Sequence, residues 1–296
     1  MKVFVARFIR FIVYSHIFIA LCTTAYAVKT ALLISGSTGN IHVTLFVFSA
    51  TLLFYCFHPI NKKKFITSTE SNEERIAWMN THTSIYYILI AASLLILTSQ
   101  FLYLPIRTWV ILTPVALLGL GYTFPFIPTK NGRKRLRDIY WLKPLWISIA
   151  FSTLTSFLPI AFSQPLSTLL APAPLFIFFR SILFIFALCI PFDIRDMQFD
   201  KSKNIRTLPV IFGPTLSIYI AIILLLLFIS LICIQFLYFS IPFPLATALF
   251  LSAIITIFLL LFAKRKIPQP LYSLLYDGSM MLQAILVFLA FNYLRV

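Results

Sequence analysis

The chain has 296 residues, of which 60% are hydrophobic and only 11% charged, with a formal net charge of +16. Soluble domains carry about a quarter charged residues, so this balance excludes a separate soluble domain. A nucleic-acid partner is also excluded, because the cations lie in short loops between apolar runs and not along one soluble face.

Nine apolar runs follow one another at 8–33, 41–58, 84–103, 107–124, 143–162, 174–192, 208–238, 241–263 and 271–294. A helix needs about 20 apolar residues to cross the hydrocarbon core. Lipid offers no partner to an unpaired backbone group, so each run is expected to be helical. The expectation is an all-α polytopic integral membrane protein with about nine transmembrane helices, a single membrane domain over 1–296. Lys2, Arg7 and Arg10 precede the first run, and Ala25-Tyr26-Ala27 resembles a signal-peptide cleavage site. The run is long for a signal peptide, and it reads as a span. Ser71-Asn72-Glu73-Glu74 forms a capping box that predicts a helix start in the loop 59–83. The seventh run is long enough to project beyond the bilayer. Cys22, Cys56, Cys189 and Cys233 include no metal-type pair and read as small apolar residues. His16 and His82 lie near run ends with no neighbouring ligand and read as satisfied or interfacial.

The loops divide by charge. Those on the side of the N-terminus hold twenty of the Lys and Arg residues, against Lys29, Arg107 and Arg295 on the other, with Arg180 inside the sixth run. Positive loops stay cytoplasmic. The expected location is therefore a bacterial cytoplasmic membrane, with the N-terminus inside and the C-terminus outside.

The sixth run exits into Asp193-Ile-Arg-Asp196-Met-Gln-Phe-Asp200-Lys201-Ser-Lys203-Asn-Ile-Arg206 on the cytoplasmic side. Three of the chain's eight acids stand here at i, i+3 and i+7, which is one face of a helix. Crowded carboxylates repel unless a cation joins them. Mg²⁺ suits that role, since it takes one or two carboxylates and completes its shell with phosphate oxygens. The alternative is a charged juxtamembrane loop.

Asp193-x-x-Asp196-x-x-x-Asp200, with Arg206-Thr-Leu-Pro-Val and Gly213 behind it, resembles the second aspartate-rich motif of the UbiA prenyltransferase superfamily. Nine helices with the motif after the sixth also resemble that family, as do Tyr122 and the basic loop Lys130–Arg137, which includes Arg135. The resemblance implies helices around a central cavity open to the cytoplasm. It implies Mg²⁺-dependent transfer of a prenyl group from an isoprenyl diphosphate to an aromatic, quinone-precursor or other lipid-soluble acceptor. Asp193, Asp196 and Asp200 would hold the metal as the catalytic set. Tyr122, Lys130, Arg135, Lys201, Lys203 and Arg206 would contact substrate, arginine being suited to bidentate phosphate binding.

The family's first aspartate motif should stand at the cytoplasmic end of span two. That stretch reads Phe54-Tyr-Cys-Phe-His58-Pro-Ile-Asn61-Lys62-Lys63-Lys64, without a carboxylate. The alternative function is therefore a relative that binds a prenyl diphosphate or anionic lipid without turnover. Arg180, 13 residues before Asp193, and Asp277 in the last run are candidate cavity residues, with an ion pair between them as the other reading. Asp138 reads as locally ion-paired. The 32 phenylalanines suit both an apolar tunnel and ordinary contact with membrane lipids. A transporter is disfavoured by the absence of repeats and paired broken helices.

Overall fold

A computed structural model describes residues 2–60, 73–129, 132–136, 139, 142–202, 204–239, 241–265 and 267–295. The chain is an all-α polytopic membrane protein. Among the described residues, eight helices are long and apolar enough to cross a membrane, and a ninth has a slightly shorter apolar stretch, Ile41–Phe57.

The first predicted span is two helices, α1 (Lys2–Tyr14) and α2 (Ile17–Ser35). The chain breaks between them at His16, whose backbone is left-handed at φ 64°. Neighbouring helices take up the carbonyls freed by the break: the Tyr86 hydroxyl donates to Tyr14 at 2.6 Å, and the Cys56 thiol to Ser15 at 3.6 Å. Membrane helices tolerate breaks only where such partners exist.

Then come α3 (Ile41–Ile60), α4 (Glu73–Thr81), α5 (Thr83–Gln100) and α6 (Ile106–Thr123). Ser71 of the predicted capping box lies outside the described residues. Glu74 pairs with Arg10 at 3.1 Å, both largely exposed. A short antiparallel hairpin, β1 (Ile127–Thr129) and β2 (Gly132–Lys134), interrupts the otherwise helical chain.

Span five runs from α7 (Lys143–Ser152) through a π-helical turn at Thr153–Phe157 into α8 (Leu158–Ser163). Pro159, with no N–H to give the preceding turn, stands beside this widening. Span six is α9 (Pro172–Arg195), followed by the short α10 (Met197–Ser202). In α11 (Leu208–Phe239), Gly213 is non-helical at φ 79°, ψ 164°, and Pro214 restarts the helix. The extended ψ is what a residue before proline favours, and the positive φ needs glycine. The membrane helix thus starts at Pro214. After α12 (Phe243–Leu260), span nine consists of α13 (Gln269–Tyr276) and α14 (Gly278–Tyr293), joined at Asp277.

The helices pack in a sequence of neighbours that runs from α5 through α3, α2, α14, α12, α11, α9 and α7 to α6. Close approach uses small residues such as Ala187, Ala221 and Ala253, all fully buried. Outward positions of α11 such as Ile223, Leu226 and Leu227 are exposed, as lipid-facing side chains should be.

Candidate functional site

Helix α9 ends at Asp196, whose φ of −89° and ψ of 4° depart from helix. The turn at Asp196 changes the predicted single carboxylate face. Asp193 stays on the last turn of α9, while Asp200 belongs to α10, and both are 2% exposed. They converge on one cation, Lys143 at the start of α7: its Nζ lies 2.5 Å from Asp193 Oδ1 and 3.6 Å from Asp200 Oδ2. Asp196 turns instead to its neighbour Arg195, which donates from Nε at 2.8 Å and Nη2 at 3.0 Å. This bidentate pairing fixes the guanidinium plane. The same guanidinium lies 5.1 Å from the Phe192 ring and 5.7 Å from Tyr272. The Tyr272 hydroxyl donates to the Pro191 carbonyl at 2.5 Å, tying α13 to the end of α9.

Burial alone would raise the Asp196 carboxyl, but Arg195 beside it, with Lys143 and Arg75 farther off, holds it well below the usual carboxylate range. Burial and Arg195 together lower the Arg75 guanidinium, and Asp196 opposes them.

These groups line one end of a cavity of about 270 Å³. Asp193, Asp196, Lys143, Arg195 and Arg75 give it a charged wall, and Tyr55, Phe54, Phe151 and Tyr122 an aromatic one. Asp277, with Ser273 and Gln269, faces it from span nine. Phe54, Tyr122, Ile147 and Phe151 also line a second, larger cavity, an apolar groove of about 720 Å³ between α3, α5, α6 and α7.

Among the residues predicted for the site, Asp193, Asp196, Tyr122 and Asp277 thus stand together around the cavity, with Asp200 behind them on Lys143. Arg135, Lys201 and Arg206 do not line it; Lys201 and Arg206 are exposed. Lys130, Lys203, Asp138, Asn61 and Lys62–Lys64 lie outside the described residues. Arg180 is not at the cavity and does not pair with Asp277; it is buried beside Lys29 deeper in the bundle.

The cavity's four basic residues were not assigned from sequence. Lys143, Arg195 and Arg75 registered there only as inward-side positive charge, although Arg195 sits inside the aspartate motif. His16, read as satisfied, lines the cavity from the break between α1 and α2. Its ring packs 5.5 Å from Tyr55, and its buried Nε2 has no hydrogen-bond partner among the described residues. Strained backbone of this kind collects at functional sites.

As arranged, the acids do not fit Mg²⁺. The point where Asp193 and Asp200 meet holds the Lys143 ammonium, and Asp196 is spent on Arg195. No group of three or more His, Cys, Asp or Glu among the described residues is placed to hold a metal.

The sequence matches the model of the UbiA prenyltransferase family over residues 79–285. Among solved structures, the fold is similar to the apo structure of a UbiA homolog from Aeropyrum pernix K1, with TM-score 0.69 and 15% identity over 94% of this chain and 98% of that one. It is also similar to a digeranylgeranylglyceryl phosphate synthase, with TM-score 0.52 and 17% identity over 93% and 92% of the two chains. At these identities the likeness is one of fold. No curated protein matches the chain.

Proposed function

The chain belongs to the UbiA prenyltransferase family, and we propose that it transfers a prenyl group within the membrane from an isoprenyl diphosphate to a lipid-soluble acceptor. One observation carries the reading: a charged cavity and an apolar groove share one wall, with the aromatic rings Phe54, Tyr122 and Phe151 lining both. A prenyl diphosphate has the same division, a polyanionic head on a long hydrocarbon tail.

The diphosphate head enters beside Lys143, Arg195 and Arg75. Lys143 stands at Asp193 and Asp200, two of the carboxylates that the resemblance would give to Mg²⁺. These three cations are therefore the groups proposed to neutralise the head, with Asp193, Asp196 and Asp200 as the catalytic set that holds Lys143 and Arg195 in place. The tail lies in the groove. Cleavage of the allylic C–O bond leaves both bonding electrons on the diphosphate, where preorganised cations stabilise the growing charge. The prenyl cation left behind meets the faces of Tyr55, Tyr122 and Phe151. A nucleophilic atom of the acceptor, placed between His16 and Asp277, forms the new bond and releases one proton. An aromatic or quinone-precursor acceptor is the class proposed. The location proposed is a bacterial cytoplasmic membrane, with the Asp193–Arg206 segment and the N-terminus in the cytoplasm and the C-terminus outside.

Arg75 favours a second reading. It approaches the site from α4, the helix that follows the stretch lacking the first acidic motif, and brings positive charge there. Such a site suits tight anion binding without turnover. Purified protein incubated with labelled prenyl diphosphates and candidate acceptors decides between the two. Prenylated acceptor supports transfer; saturable binding without product supports the second reading.

A further inference from the structure

Away from the charged cavity, the bundle buries two more cations. Lys29 on α2 and Arg180 on α9 are each 3% exposed. They are linked through Tyr26, whose ring lies under the Lys29 ammonium and stacks at 5.9 Å on Phe184, one turn beyond Arg180. Tyr26, one turn before Lys29, is seven residues beyond Ile19 of the cavity wall, so this pair lies roughly 10 Å further along α2.

The surrounding side chains are polar but carry no negative charge. Lys29 Nζ donates to Gln283 Oε1 of α14 at 3.0 Å and sits 3.3 Å over the Tyr26 ring. Gln283 Nε2 donates to Ser252 Oγ of α12 at 2.9 Å, and Ser156 Oγ donates to Ser181 Oγ, next to Arg180, at 2.9 Å. Gln283 therefore holds its oxygen toward Lys29. The buried Nη1 of Arg180 has no hydrogen-bond partner among the described residues.

None of the described acids supplies one. The chain has eight. Of those described, Glu74 pairs with Arg10, Asp193 and Asp200 with Lys143, Asp196 with Arg195, and Asp277 faces the cavity. An arginine in a membrane interior stays charged and requires a partner. A buried guanidinium nitrogen without a partner, near a second buried basic side chain, leaves positive charge that a low-dielectric interior disfavours.

We propose that Lys29 and Arg180 bind a monovalent anion between α2 and α9, held further by the polar groups of α12 and α14. The ammonium suits a compact anion and the guanidinium fork a carboxylate. A halide ion from solution and the carboxylate of an organic molecule from the membrane share that chemistry. The site is separate from the charged cavity and does not depend on prenyl transfer.

The test uses the whole protein in detergent, with the thermal midpoint followed against chloride at constant ionic strength, sulfate being the replacement. A saturable rise in the parent, absent in Lys29→Met and in Arg180→Gln, identifies a halide at the site. Bromide should then give an anomalous peak beside Arg180 in crystals. For an organic carboxylate, the parent is insensitive to chloride and releases about one equivalent of carboxylic acid on denaturation, which the variants do not. Arg195→Met should retain either behaviour; a response lost there moves the site to the charged cavity and overturns the placement. Should Arg180→Gln fail to fold, Lys29→Met decides alone. A parent with neither chloride response nor bound acid overturns the proposal.

Discussion

Replacing Lys143 by Met should unbalance the site more than any other single change. The Lys143 side chain is 13% exposed, and its two carboxylates are 3% and 2% exposed. Methionine keeps most of the volume but takes this ammonium from both Asp193 and Asp200. Removing one partner of a buried ion pair costs about 3–5 kcal/mol, and here two carboxylates lose the same partner. Lys143→Met is therefore expected to lower unfolding stability in detergent by roughly that amount. The cost comes from the stranded acids, so adding Asp193→Asn should return a large part of it. The coupling from the double-mutant cycle should reach about 2–3 kcal/mol. Denaturant melts of the four proteins measure it. A Lys143→Met protein as stable as the parent, or single changes that simply add, would refute the bridging role.

The remaining predictions concern binding, pH and substrate length. Affinity for a prenyl diphosphate should fall less than about tenfold when EDTA removes divalent ions, because Lys143, Arg195 and Arg75 supply the positive charge; complete loss of binding in EDTA would return the site to Mg²⁺. Asp196 is held below its unfolded value, so its pairing stabilises the fold fully above the ordinary carboxylate range, near pH 4, and that contribution fades as pH falls toward the depressed folded value. Asp196→Asn should thus melt lower than the parent at pH 7, by a gap that narrows but does not close at about pH 2–3; an equal gap at both pH values would contradict the assignment. His16→Gly relieves a positive φ and should cost little stability, while raising the acceptor KM and leaving donor binding unchanged; unchanged acceptor kinetics would remove His16 from the acceptor side. Ala150→Trp narrows the apolar groove and should discriminate against long prenyl tails, read as a KM ratio between long and short diphosphates.

Much of the architecture was readable because lipid leaves so few solutions. Twenty apolar residues in a row must be a helix, whatever their order, and the charged loops between them mark the ends. The breaks were less legible. His16 leaves the helix with no glycine or proline to announce it, because the partners that permit the break, Tyr86 and Cys56, are distant in sequence. At Gly213-Pro214 the local signal was present within the long run. In the site, the spacing of Asp193, Asp196 and Asp200 marked a stretch around which charged side chains gather, but not that Lys143 and Arg195 stand against the acids. A helical wheel assumes an unbroken helix, and the turn at Asp196 redirects Asp200 to Lys143, 57 positions away in the chain. The exposed Lys201 and Arg206 are nearer in sequence and farther from the cavity, so proximity in the motif misled. Arg180 was recognised as costly, but its neighbour Lys29 reads as a loop residue in a charge count and is buried in α2.

The central claim is transfer, and the most direct measurement is the stoichiometry of diphosphate release. Purified protein in lipid nanodiscs, given labelled prenyl diphosphate, should release diphosphate only when an acceptor is present, one equivalent for each prenylated product. Asp193→Asn should abolish that release while the labelled substrate still binds. Saturable binding with no release across aromatic and lipid acceptors would contradict the account and leave the protein a prenyl diphosphate binder.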